Sequence, residues 1–210
     1  MPAAPTLANR SSLLRTLTQW HWISAALALA GLALLSVTGI TLNHAGLIEA
    51  EPHVVTRKAA IPAPLKAALA ETAEAATGDA PLPEAARSWA RETLHVALGG
   101  QTAEWSPEEI YVSLPEPGGD AWLRLSLEDG EAEYERTTRG VIAYLNDLHK
   151  GRHTGAVWSA FLDLIAIACL VFAITGLWLL KLHAPNRPST WPLTGLGLAV
   201  PLLIALLFIH

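Results

Sequence analysis

Three stretches of this chain carry almost no charge, and each is long enough to cross a lipid bilayer. Between Thr16 and Ile48 there is no Asp, Glu, Lys or Arg; between Ala156 and Leu180 the only charge is Asp163; between Pro188 and His210 there is none. A membrane helix needs about 20 predominantly apolar residues, and all three stretches supply them. Charged residues are 16% of the chain, against about 25% in ordinary soluble proteins, and the deficit lies in these runs. A purely soluble enzyme and a disordered chain are both excluded. A net charge of −5 argues against a nucleic-acid binder, whose affinity rests on neutralising phosphates. The single cysteine, Cys169, lies inside the second run, so there is no disulfide framework, cysteine zinc site, iron–sulfur ligand set or CxxCH haem attachment. The first run has an apolar core from Ile23 to Leu42, longer than the roughly 7–15 residues of a signal-peptide core. It reads as a retained helix.

The charges that remain set an orientation. Eighteen of the nineteen acids lie between Glu49 and Asp147, with only eight of the fourteen Lys and Arg, so that segment has a net charge of −10. Arg10 and Arg15 precede the first run without any acid, and Lys181 and Arg187 stand between the second and third runs, also without one. Short basic segments at helix ends mark the cytoplasmic side. The N-terminus is therefore expected inside, and the acidic loop and the C-terminus outside. Trp20, Trp22, Trp158, Trp178 and Trp191 lie near run ends, as interfacial anchors do.

The acidic loop reads as a small α+β domain. The segment from Pro52 to Pro64 is proline-rich and extended. Pro64–Ala76 suits a surface helix, and Pro81–Leu98 suits a second, stopped by Gly99–Gly100. Then the period changes. Ile110–Leu114 reads as a strand, and Leu123, Leu125 and Leu127 alternate with polar residues as in a half-buried strand. Glu116-Pro117-Gly118-Gly119 is a turn, Asp129–Gly130 is a hairpin signal, and Glu131–Thr138 can pair as the next strand. The minimal version is the second helix plus a three-stranded meander.

The membrane runs share an echo: Val37-Thr38-Gly39-Ile40, Ile174-Thr175-Gly176-Leu177 and Leu193-Thr194-Gly195-Leu196. Small residues let membrane helices approach closely; alternatively, such glycines make room for a flat cofactor between helices. Six of the eight histidines lie at run ends. His21 and His183 share the inner face, and His44 shares the outer face with His149 and His153; His210 ends the chain. A bis-imidazole haem takes two histidines from neighbouring helices at one depth, and this chain can supply a pair at each face. The rise from His21 to His44 is ~35 Å, about one hydrocarbon thickness. Two other readings stay open. Interfacial histidines suit headgroup depth for their amphipathic character alone, and His149 with His153 and His44 could form a non-catalytic zinc or copper site. The spacing of His149 and His153 matches a zinc-protease pair, but Lys150 stands where the catalytic Glu would be. Asp163 is an intramembrane carboxylate, a functional candidate by default. It is a helix-packing hydrogen bonder, a partner for Arg152 or a histidine, or part of a proton path.

The run Tyr144-Leu-Asn-Asp-Leu-His149-Lys-Gly-Arg-His153-Thr-Gly-Ala-Val-Trp158-Ser-Ala-Phe-Leu-Asp163, followed by Ile174-Thr175-Gly176, resembles the PepSY-associated transmembrane helix family. Gln19-Trp20-His21-Trp22, running to Val37-Thr38-Gly39, is similar to that family's first helix. The resemblance covers both ends of the chain and implies an integral membrane protein, mainly α. It would have three transmembrane helices and a small extracytoplasmic, PepSY-like α+β domain inserted between helices 1 and 2. The expected parts are a cytoplasmic tail (1–17), helix 1 (18–44), a periplasmic domain (45–148), helix 2 with its outer lead-in (149–181), a cytoplasmic loop (182–190) and helix 3 (191–210). Larger four-helix relatives resemble haem-containing inner-membrane reductases that act on periplasmic iron–siderophore complexes. The resemblance thus implies one or two b-type haems, with His21 and His149 standing on matching motifs and His44, His153 and His183 placed as ligands by position alone. Electrons would pass across a bacterial inner membrane to a periplasmic flavoprotein or ferric complex, with homodimerisation able to complete a ligand pair. PepSY modules also occur in peptidase propeptides, so the competing expectation is a tethered binding or regulatory module for a periplasmic partner, without a redox cofactor.

Overall fold

The computed structural model describes residues 7–48, 52–75 and 78–209. In chain order its elements are α1 (Leu7–Asn43), β1 (His53–Ala60), α2 (Ala63–Ala75), β2 (Ala80–Pro81), α3 (Glu84–Thr93), β3 (Thr102–Trp105), β4 (Glu109–Glu116), β5 (Gly119–Ser126), β6 (Glu131–Thr138), α4 (Gly140–Lys150), α5 (Gly155–His183) and α6 (Thr190–Phe208). The chain divides into two compact units, one of residues 1–34 and 160–210, the other of residues 35–159.

The first unit holds most of α1 and α5 and all of α6, the three helices long and apolar enough to cross a membrane. Early α1 meets late α5 at His21 and Thr175, and later α1 meets earlier α5 at Gly31 and Ile165, so the two run antiparallel. Ser24, Ala28, Gly31 and, further along the same helix, Thr38 are buried, with leucines or His21 half-buried between and before them. The spacing alternates between three and four residues, the seam of left-handed helix packing. It is lined by small residues because apolar helices in lipid gain from close backbone approach rather than from hydrophobicity. Gly31 is the tightest point: a Cβ there would lie 2.7 Å from Ile165 Cδ1. α6 has no buried residue.

The second unit is built on one six-stranded antiparallel sheet in the order β1-β6-β5-β4-β3-β2. Alternation decides its faces. Ile110, Val112, Leu123, Leu125 and Ala132 point to one side and bury against Leu69 and Ala73 of α2 and Ala86 and Ala90 of α3. The opposite side carries a ladder of charge, with Lys58 at 3.0 Å and Arg124 at 2.9 Å from Glu133. The Tyr111 and Trp122 rings stack beside it, 6.3 Å apart. Both expected turns form: Gly118 (φ 73°) joins β4 to β5 and Gly130 (φ 70°) joins β5 to β6, conformations that glycine adopts without strain.

Three features differ from the sequence reading. The sheet has six strands rather than three, because the extended segment before α2 pairs with β6 along its whole length and the short β3 and β2 extend the other edge. The second soluble helix stops at Thr93 and does not reach Leu98. Leu94, Val96 and Leu98 are buried while His95 and Ala97 are exposed; Leu94 caps the helix and His95 turns left-handed (φ 54°), whereas a continued helix would turn one of the three away from the core. Finally, the Leu148-His149-Lys150-Gly151 run does not lead continuously into α5. It closes a separate helix, α4, whose C-cap is the left-handed Gly151 (φ 67°). His210 lies outside the described residues.

Candidate functional site

Two of the three echoed Thr-Gly pairs, Thr38-Gly39 and Thr175-Gly176, turn out to be seats for histidines. In the first unit, His21 Nδ1 lies 3.1 Å from Thr175 Oγ1 and 3.2 Å from the Phe172 carbonyl. Its ring lies over Gly176, where a Cβ would come within 3.0 Å of Cε1, and stacks on Phe172 at 4.5 Å. In the second unit, His149 Nδ1 lies 2.8 Å from Thr38 Oγ1, and its ring lies over Gly39, where a Cβ would be 3.3 Å from Cε1. In each seat the threonine bonds the imidazole and the glycine leaves space for it.

Hydrogen-bond chemistry fixes the His21 tautomer. A carbonyl oxygen only accepts, so Nδ1 must carry the proton it gives to Phe172. The Thr175 hydroxyl donates to Val171 O at 2.7 Å and therefore accepts from the same Nδ1–H. In the neutral imidazole Nε2 is then left with the lone pair. His183 is set the same way by its own helix, Nδ1 to Leu179 O at 2.8 Å, and so is His44, Nδ1 to Ile40 O at 2.9 Å. Metal-ligating histidines show this arrangement, one nitrogen donating to an oxygen and the other free to coordinate.

His21 and His183 line one groove of about 670 Å³, walled by Phe172, Ala173, Gly176, Leu177, Leu179 and Leu180 and also bordered by Arg187 and Thr190. The size falls among cofactor and ligand sites, roughly 300–1,000 Å³, which are mostly apolar with a few placed polar groups. His44, His149 and His153 are dispersed over different supports: His149 half-buried on Thr38 and Gly39, His44 exposed on its own helix, and His153 exposed in a left-handed turn (φ 59°). Among the described residues, no group of three His, Cys, Asp or Glu side chains is placed to hold a metal ion. That offers nothing to a zinc or copper site built from His44, His149 and His153.

The other polar residues of the Tyr144–Asp163 run brace the second unit. Asn146 Oδ1 accepts from Thr41 Oγ1 at 2.9 Å. The buried Asp147 carboxylate accepts the Gly118 backbone N–H at 2.9 Å and pairs with Arg152 Nε at 3.1 Å. Trp158 Nε1 donates to Leu148 O at 2.9 Å. Arg152 is therefore the partner of Asp147, not of Asp163 as the sequence allowed, because the cap at Gly151 turns it back onto α4. Asp163 is exposed on α5. Thr38, Gly39, Thr175 and Gly176 are visible in the sequence as an echo that either helix packing or a flat cofactor explains. The echo does not show that each pair receives a histidine distant in sequence.

The family model for PepSY_TM-like proteins matches residues 12–210, nearly the whole chain. The chain belongs to the PepSY_TM-like family. No curated protein and no solved structure matches it. Membership of the PepSY_TM-like family, together with three helices long and apolar enough to span, makes this a membrane PepSY-associated protein. Both Thr-Gly seats lie within the matched region.

Proposed function

We propose that this PepSY_TM-like protein binds a b-type haem in the groove between α1 and α5 and passes electrons across a bacterial inner membrane to a periplasmic flavoprotein or ferric complex. One observation carries the reading: His21 and His183 border the same apolar groove, each with Nδ1 committed to an oxygen and Nε2 available. His21 of α1 and His183 of α5 would be the residues that hold the group. Thr175 and the Phe172 carbonyl hold His21 in the ligating tautomer, and Gly176 lets its ring sit close to α5. The leucines and Phe172 exclude water. Such a haem exchanges one electron at its iron, at a potential set partly by the axial ligands. The basic segments around Arg15 and Lys181 support an inner-face position for this groove. A second haem at the outer face would draw on His44 with His149 or His153. α6, with no buried residue, is free for lipid or for a second copy of the chain.

The test is ligand substitution. Full-length protein is purified in detergent after expression with added haem precursor, and haem per chain is measured. His21→Ala and His183→Ala should each abolish or greatly reduce bound haem, and His53→Ala, on β1, should not. Haem content unchanged in both ligand variants would defeat the assignment.

A second reading, a cofactor-free tethered module for a periplasmic partner such as a peptidase, draws support from β1. It is an edge strand of eight residues, and open edges accept an added strand. Retained partner binding by haem-free variants would favour it.

A further inference from the structure

We infer that Arg187, with Thr190 beside it, is the anion-binding end of the His21–His183 groove, and that its ligand is a carboxylate arm of the tetrapyrrole. This rests on the haem reading above and adds the orientation of the group. Arg187 and Thr190 line the same groove as the two histidines, while the remaining wall is apolar apart from the glycine. No Asp or Glu lies among residues 164–210. The ion pairs found among the described residues leave Arg187 out. The connector holds the residue in place through its backbone: Arg187 N–H donates to Ala184 O at 2.8 Å, and Thr190 N–H donates to Arg187 O at 3.1 Å. The side chain makes neither bond, and it is exposed, so it can be changed without unmaking the turn. A guanidinium presents a planar fork of donors that matches a carboxylate, and the Thr190 hydroxyl can add a donor. An apolar groove bordered by two imidazoles and one cation suits an amphipathic ring system, apolar in its body and acidic at one edge. The same cation could take a lipid phosphate; the experiment separates the two.

Apo-protein, full-length in detergent, is titrated with haem and with haem dimethyl ester, whose carboxylates are blocked. Affinity is read from the Soret absorbance. Wild type should prefer the free acid. Arg187→Gln should lower that preference about tenfold, the scale of one charge-assisted hydrogen bond, and Arg187→Lys should restore part of it. Lys181→Gln removes the same charge from the end of α5 but does not border the groove, and it should leave the preference as in wild type. An Arg187→Gln preference equal to that of wild type overturns the inference and leaves the haem reading standing. So does equal weakening of acid and ester, or an effect that appears only when anionic phospholipid is added. Uptake of neither compound by wild type sinks the haem reading itself.

Discussion

Asp147 joins three parts of the second unit, and its replacement has a calculable cost. The carboxylate is buried, accepts the Gly118 backbone N–H at 2.9 Å, and pairs with Arg152 at 3.1 Å. Gly118 is itself buried in the β4–β5 turn. In Asp147→Ala its N–H loses that acceptor, at about 1–3 kcal/mol. The ion pair adds no more than about 1 kcal/mol, because the Arg152 side chain is half exposed and solvent screens it. A local loss of about 2 kcal/mol raises the opening equilibrium of the turn roughly 30-fold. Hydrogen exchange of the peptide covering β4, the turn and β5, read by mass spectrometry in detergent, should accelerate by that order in Asp147→Ala. Asp147→Asn keeps an acceptor oxygen for Gly118 and should accelerate it only slightly. Equal exchange in wild type and Asp147→Ala, or equal acceleration in the Ala and Asn variants, would refute the claim that this carboxylate anchors the turn.

Three further outcomes follow from the same contacts. Gly31→Ala places a Cβ against Ile165 and should lower thermal stability by about 1–3 kcal/mol, with Ile165→Ala in the same chain recovering part of the loss; a purely additive double variant would show the two residues do not meet. Thr175→Val removes the hydroxyl that accepts from His21 but leaves the Phe172 carbonyl, so haem affinity should fall by roughly 3- to 10-fold without loss of binding; complete loss, or no change, in a Soret titration would contradict that division. Glu133 has its carboxyl held below the ordinary value of about 4.5, first by the hydrogen bond from Lys58, which burial opposes, and then by the Lys58 charge and the hydrogen bond and charge of Arg124. A depressed folded value means its stabilising contribution is complete above the unfolded value and disappears as pH falls through the folded one. Acid melts from pH 5 downward should therefore show a smaller pH dependence in Glu133→Gln than in wild type, and superimposable pH profiles would count against the ion pair.

The spans were legible because charge is so costly in lipid that its absence marks them, and the β5–β6 hairpin because Asp129–Gly130 permits few alternatives. α3 was overrun because Leu94, Val96 and Leu98 alternate within a stretch that also suits a helix, and only the core they enter decides between the two periods. β1 was read as extended, but its partner β6 lies almost eighty residues on, and nothing local encodes the pairing. At the site, run-end histidines were visible as candidates. Their differences were not: His21 and His149 are each seated on a Thr-Gly pair from the far side of the chain, whereas His44 and His183 bond their own helices. The Asn146–Arg152 segment stands out only within the run that resembles the family, and most of its polarity serves to brace α4 against the β4–β5 turn and the end of α1.

The most direct measurement is the visible absorption spectrum of the detergent-purified full-length protein, expressed with haem supply, before and after dithionite. The expected result is a b-type spectrum that sharpens on reduction in wild type and is lost in His21→Ala and in His183→Ala. A folded, monodisperse wild-type protein with no visible absorbance in either state would contradict the haem assignment and leave the tethered binding module as the function to pursue.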